Sequence, residues 1–104
     1  MIRQERIKTL LSSQLNPTYL LIEDESSLHR ARPQSETHLK LTAVSSAFES
    51  LTRLARHRLV NTLVDQEFHQ GLHALSLHLY TPTEWKNKIT SPPASPVCQS
   101  KSLN

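Results

Sequence analysis

Glycine is almost missing from this sequence: Gly71 is the only one among 104 residues. Chemistry that cradles phosphate in a glycine-rich loop is thereby excluded. Cysteine is just as scarce. Cys98 stands alone, so no internal disulfide can form, and a reducing cytoplasm is the expected setting. Five aromatic residues (Tyr19, Phe48, Phe68, Tyr80 and Trp85) leave few rings on which bases could stack. No apolar run approaches the length that crosses a bilayer, so no membrane partner is expected. The first residues, Met1 to Ile7, enter an amphipathic pattern rather than a secretory signal.

What remains fits one domain with one core. The apolar fraction, 37%, is below the globular average, and the deficit sits near the C-terminus and in one internal loop. The net charge of +3 permits nucleic-acid binding without demanding it. Histidine is the residue in excess, with six in so short a chain.

Periodicity orders the chain. Ile7, Leu10, Leu11 and Leu15 share one face of a helix over residues 2–15, which Asn16-Pro17 ends. Residues 18–23 read as a strand, and residues 24–35 as a long polar loop. Residues 36–44 alternate: Leu39, Leu41 and Ala43 point one way, His38, Lys40 and Thr42 the other. A second helix is predicted over 51–68, with a core stripe of Leu51, Leu54, Ala55, Leu59 and Leu63 widened by Val60 and Val64, and a stop at Gln70-Gly71. Residues 74–80 alternate again, with Leu75, Leu77 and Leu79 inward and Ser76, His78 and Tyr80 outward. Thr81, Pro82 and Glu84 then suit the N-cap, first and third positions of a short helix closed by a capping box. The order is helix, strand, strand, helix, strand, short helix. Residues 1–88 form the expected domain and residues 89–104 a Ser/Pro-rich flexible tail.

The candidates for chemistry are few. His78 lies on the outward face of the last strand, where a hydrogen-bonded surface histidine and a metal ligand are both open readings. His73 and His78 are five apart and fall on opposite faces of a strand; His69 and His73 straddle Gly71; no H-E-x-x-H is present. A zinc site within the chain is therefore not supported. No G-x-S-x-G elbow is found, and Asp24-Glu25 has no marked pocket. Arg53, Arg56, His57 and Arg58 form the basic cluster best suited to phosphate, with a solvated basic face as the plainer alternative.

Three stretches resemble the BolA family. The segment from Gly71 through Leu72-His73-Ala74-Leu75-Ser76-Leu77-His78-Leu79-Tyr80-Thr81-Pro82-Thr83-Glu84-Trp85 is similar to its C-terminal signature. Arg56-His57-Arg58-Leu59-Val60 resembles its second-helix segment, and Asp24-Glu25-Ser26 with His29 and Ser35-Glu36-Thr37-His38-Leu39-Lys40 resembles its loop and second strand. The resemblance runs from about residue 2 to residue 86 and implies an α+β, class II KH-like fold: a three-stranded mixed sheet with helices on one face. It further implies a non-enzymatic adaptor in iron–sulfur trafficking or iron-linked regulation. Such an adaptor pairs with a monothiol glutaredoxin and its glutathione and shares a bridging 2Fe–2S cluster, none being expected on the isolated protein. The implied ligands are His78 and, in the loop, His29, making this a histidine-type member. Family members described as DNA-binding transcriptional regulators make the basic helix the alternative, with DNA as partner; a weak homodimer is also allowed. Ser50 stands where a glycine commonly precedes the second helix, and no G-x-x-G clamp is present, both of which count against nucleic acid.

Overall fold

A computed structural model of the chain describes residues 2–26 and 36–90. Helix α1 (Ile2–Leu15) leads to β1 (Tyr19–Asp24) and β2 (His38–Val44). A short 3-10 turn at Ser46–Phe48 follows, then α2 (Arg53–Leu63), α3 (Asp65–His69), β3 (Ala74–Tyr80) and α4 (Pro82–Thr90). The strands lie in the order β1-β2-β3, with β1 antiparallel and β3 parallel to β2, so the sheet is mixed as expected. The loop that carries His29, and the tail from Ser91 on with Cys98, lie outside the described residues.

The core follows from the two periods. Ile7, Leu11 and Leu15 of α1 and Val60 and Val64 from the α2 region meet Leu39, Leu41, Ala43 and Leu79 of the sheet in one buried cluster around Phe48. Each large side chain buried there contributes about 1.5–3 kcal/mol. The opposite face carries three rows in register: Glu23, Lys40 and Ser76; Leu21, Thr42 and His78; Tyr19, Val44 and Tyr80. The last row is covered by Trp85 of α4, stacked on Tyr19 at 5.1 Å and tilted on Tyr80 at 5.3 Å between ring centroids. Val44, between the two tyrosines, is completely buried. The remaining two rows face solvent or are half-buried.

Chain reversals use the residues that tolerate them. Asn16 takes a left-handed φ of 45° directly after α1, its N–H donating to the Ser12 carbonyl. Gly71, at φ 117°, ends α3 while the Leu72 N–H returns to the Glu67 carbonyl, the long bond of a Schellman ending. The capping box at Thr81 is complete: the Glu84 N–H donates to Thr81 Oγ1 at 3.1 Å and the Thr81 N–H to Glu84 Oε1 at 3.0 Å.

The second helix departs from expectation in two ways. It breaks at Val64, whose φ of −102° and ψ of 15° leave helical geometry, into α2 and α3. The break keeps Val64 in the core and lets Glu67 reach Arg3 and Arg6 of α1, at 3.1 and 2.7 Å. The buried stripe is also rotated. Leu54 is 59% exposed, whereas Arg56 is only 5% exposed and shares the buried face with Val60.

Arg56 is buried because its charge is met. Its guanidinium donates to Glu84 at 2.7 and 3.1 Å, to the Leu51 carbonyl at 3.1 Å and to the Leu79 carbonyl at 3.3 Å. It also lies 5.9 Å from the Phe48 ring centre. The Arg56 hydrogen bonds, with that from the Thr81 N–H, hold the Glu84 carboxyl down at about 2 against the partial burial that opposes them. The Arg6 and Arg3 hydrogen bonds lower Glu67 in the same sense, again against burial.

A carboxylate whose folded pKa is depressed stabilises the fold above its unfolded value and loses that contribution as pH falls through its folded value. Stability should therefore decline between pH 4.5 and about 2 as Glu84 protonates. Glu84→Gln leaves Arg56 without its anion. It should cost about 1–3 kcal/mol at neutral pH and flatten the acid limb, measured by urea denaturation at stepped pH. An acid limb as steep as that of the unsubstituted protein would assign the pH dependence to other groups.

Candidate functional site

The alternation of β3 aims His78 out of the sheet, next to Thr42 on β2 and in the row that Leu21 completes on β1. The imidazole is exposed. Partial desolvation and then the charges of Lys40 and Lys88 hold its pKa below the ordinary histidine value, with His57 adding to them and Glu25 opposing. The ring is thus neutral, and able to donate a lone pair to a metal, over a wider pH range than a free histidine.

Its surroundings are cationic on two sides. Lys40 precedes Thr42 by two residues on the same face and approaches Glu23 at 4.0 Å. Lys88 of α4 lies over the ring of Tyr80, two residues beyond His78, at 5.7 Å. Among the described residues, no group of three His, Cys, Asp or Glu side chains is arranged to hold a metal ion. A metal at His78 would need its other ligands from beyond these residues.

The ends of the loop that carries His29 are pinned together. Asp24 accepts from the Ser26 N–H at 2.9 Å, the Ser26 hydroxyl at 2.5 Å and the Glu36 N–H at 3.2 Å. Burial alone would raise this carboxyl, but these bonds outweigh it and hold the pKa below its usual range. Fully buried Ser26 in turn accepts from the N–H groups of Thr37 and His38, at 3.0 and 3.3 Å. Asp24 is therefore a post for the loop rather than half of an acid–base pair. His38 and His73 meet edge to face beside this post, 5.7 Å apart, with His38 on the outer face two rows before that of His78.

The basic cluster is divided. Arg53 and Arg58 are exposed and His57 is half-buried. Arg56, expected among the phosphate contacts, is instead enclosed and spent on Glu84 and two carbonyls, so it cannot meet a phosphate. Sequence reasoning also passed over Lys88 and the Arg3–Arg6–Glu67 clamp. Lys40 was legible from shared parity with His78, but Lys88 was not, because its position depends on how α4 folds back over Tyr80.

Comparison with known proteins accords with this geometry. A family profile described as BolA-like protein matches residues 11–84. The DNA-binding transcriptional regulator BolA of Vibrio cholerae serotype O1 is 40% identical over 95 residues, covering 91% of this chain and 90% of that protein. BolA-like protein 1 of Homo sapiens is 41% identical over 90 residues, covering 84% of this chain and 66% of its own length. The solved structure of BolA1 from Arabidopsis thaliana superposes with a TM-score of 0.73 at 41% identity, covering 79% of this chain and 94% of that one. With the outward histidine, the mixed sheet and these matches all coinciding over most of its length, the chain belongs to the BolA family.

Proposed function

We propose that this protein is a non-enzymatic adaptor that binds a monothiol glutaredoxin and co-ligates a bridging 2Fe–2S cluster, in iron–sulfur trafficking or iron-linked regulation. One observation carries the reading: an exposed imidazole, biased toward its neutral form, stands on an open sheet face without enough neighbouring ligands among the described residues for a site of its own. Such a group completes a metal site only with ligands from beyond the described residues, and a second molecule is the proposed source.

The donor set suits the group. A 2Fe–2S cluster takes four protein-side ligands, and imidazole in place of thiolate on one iron raises the reduction potential. His78 and His29 would occupy one iron, and the thiolates of glutaredoxin and glutathione the other. When bound, the cluster supplies electron-accepting and iron-donating chemistry. The chain's own residues hold the face: β3 fixes His78, and the Asp24–Ser26 post fixes where the loop departs. His29 follows Ser26 by three residues, a backbone reach of about 10 Å. The row of His78 lies roughly 13 Å along β2 from His38, a span that the loop would have to cover for His29 to share an iron with His78.

Reconstitution with a monothiol glutaredoxin, glutathione, iron and sulfide should give a coloured heterodimer. His78→Ala should shift its visible absorption and circular dichroism toward those of the glutaredoxin homodimer. Spectra that already match that homodimer before substitution would remove His78 from the ligand set.

A second reading, DNA binding, is favoured by exposed Arg53 and Arg58 and by the name of the Vibrio cholerae relative. If it holds, Arg53→Gln with Arg58→Gln should weaken DNA binding uniformly across sequences. It should also reduce the salt slope by about two, since each phosphate contact contributes roughly 0.9. No measurable binding at low salt would dispose of this reading.

A further inference from the structure

We infer that Lys40 and Lys88 set the redox poise of a cluster held at His78, by placing positive charge on both sides of its imidazole along the strand. The inference rests on the proposed function and concerns residues to which that reading gives no role. Lys40 stands one row before His78, level with Ser76. Lys88 stands one row after it, over Tyr80 at 5.7 Å. Each row is two residues, about 7 Å, from His78. The two lysines thus stand in or over the rows on either side of His78, on the face from which it projects.

The charge balance gives the direction. With two thiolate and two neutral imidazole ligands, the oxidised cluster carries no net charge, and one added electron makes it an anion. No bond need form or break, and no proton need accompany the electron. Net charge near a cluster is among the determinants of its potential, and a nearby cation stabilises the reduced form. The two lysines are not equivalent. Glu23, 4.0 Å from Lys40, offsets part of that charge. Lys88 makes no ion pair among the described residues and contacts the Tyr80 ring face. The charge of Glu25 also reaches His78 and acts in the opposite sense to both.

The test is a potentiometric titration of the cluster-bridged heterodimer with dithionite as the one-electron reductant, at fixed pH and low salt. Lys88→Gln should move the reduction equilibrium about tenfold toward the oxidised form, which is 59 mV for one electron. Lys40→Gln should move it the same way by less, and Glu25→Gln the opposite way. Added salt should shrink all three differences. The circular dichroism that marks histidine ligation should stay unchanged, separating a field effect from a lost ligand. A Lys88→Gln heterodimer with unaltered potential and unaltered dichroism overturns this inference alone. Failure of the unsubstituted protein to form a cluster-bridged heterodimer overturns the adaptor reading, and the inference falls with it.

Discussion

The bidentate pair between Arg56 and Glu84 is the constraint on which the rest of the fold hangs. One planar guanidinium joins the entry to α2 through the Leu51 carbonyl, the end of β3 through the Leu79 carbonyl, and the first turn of α4 through Glu84. An unpaired charge at 5% exposure would cost several kcal/mol, so helix, strand and capping box have to form together. Arginine suits the position because its fork can satisfy a carboxylate and two carbonyls at once, which a lysine could not. His78 precedes the tethered Leu79 by one residue, so the same pair fixes the backbone that presents the imidazole.

A second polar tie works at the other side of the molecule. Arg3 and Arg6 clamp Glu67, and Arg3 also donates to the carbonyls of Glu36 and Gln70. The Glu36 carboxylate accepts the Gln4 N–H in the first turn of α1, where an orphan donor needs a partner. Glu36 holds a left-handed φ of 59° there, a conformation that these bonds keep in place. Both ties sit at the margins of the sheet. The middle of its outer face is thus left without a structural duty, free for His78, Thr42 and Leu21.

The fold was legible because its signals are local. Alternation in residues 74–80, the asparagine–proline stop, the capping box at Thr81 and the glycine after α3 each depend on residues close in sequence. The outward aim of His78 follows from parity alone. Arg56 was misjudged because the carboxylate that neutralises it is 28 residues away, and a run of arginines gives no sign of which one turns inward. Leu54 was misplaced for the complementary reason: once Arg56 and Val60 define the buried face, Leu54 is carried toward solvent. The break at Val64 was hidden because helix propensity continues through it, and only the reach of Glu67 toward α1 distinguishes the two segments.

Trp85 closes one end of the face on which His78 stands. Spread between Tyr19 and Tyr80, it covers Val44 and leaves open the rows of His78, of Ser76 and, beyond them, of His38 and Ala74. These open rows lead toward the Asp24–Ser26 post, where the loop carrying His29 departs. A partner that covers His78 and extends away from the aromatic wall therefore reaches the side on which that loop is anchored. Rigid strand, aromatic wall and loop post together leave one continuous open surface between His78 and the anchor of the loop. An adaptor of the proposed kind would need such a surface, because both of its ligands would have to be offered to the same visitor.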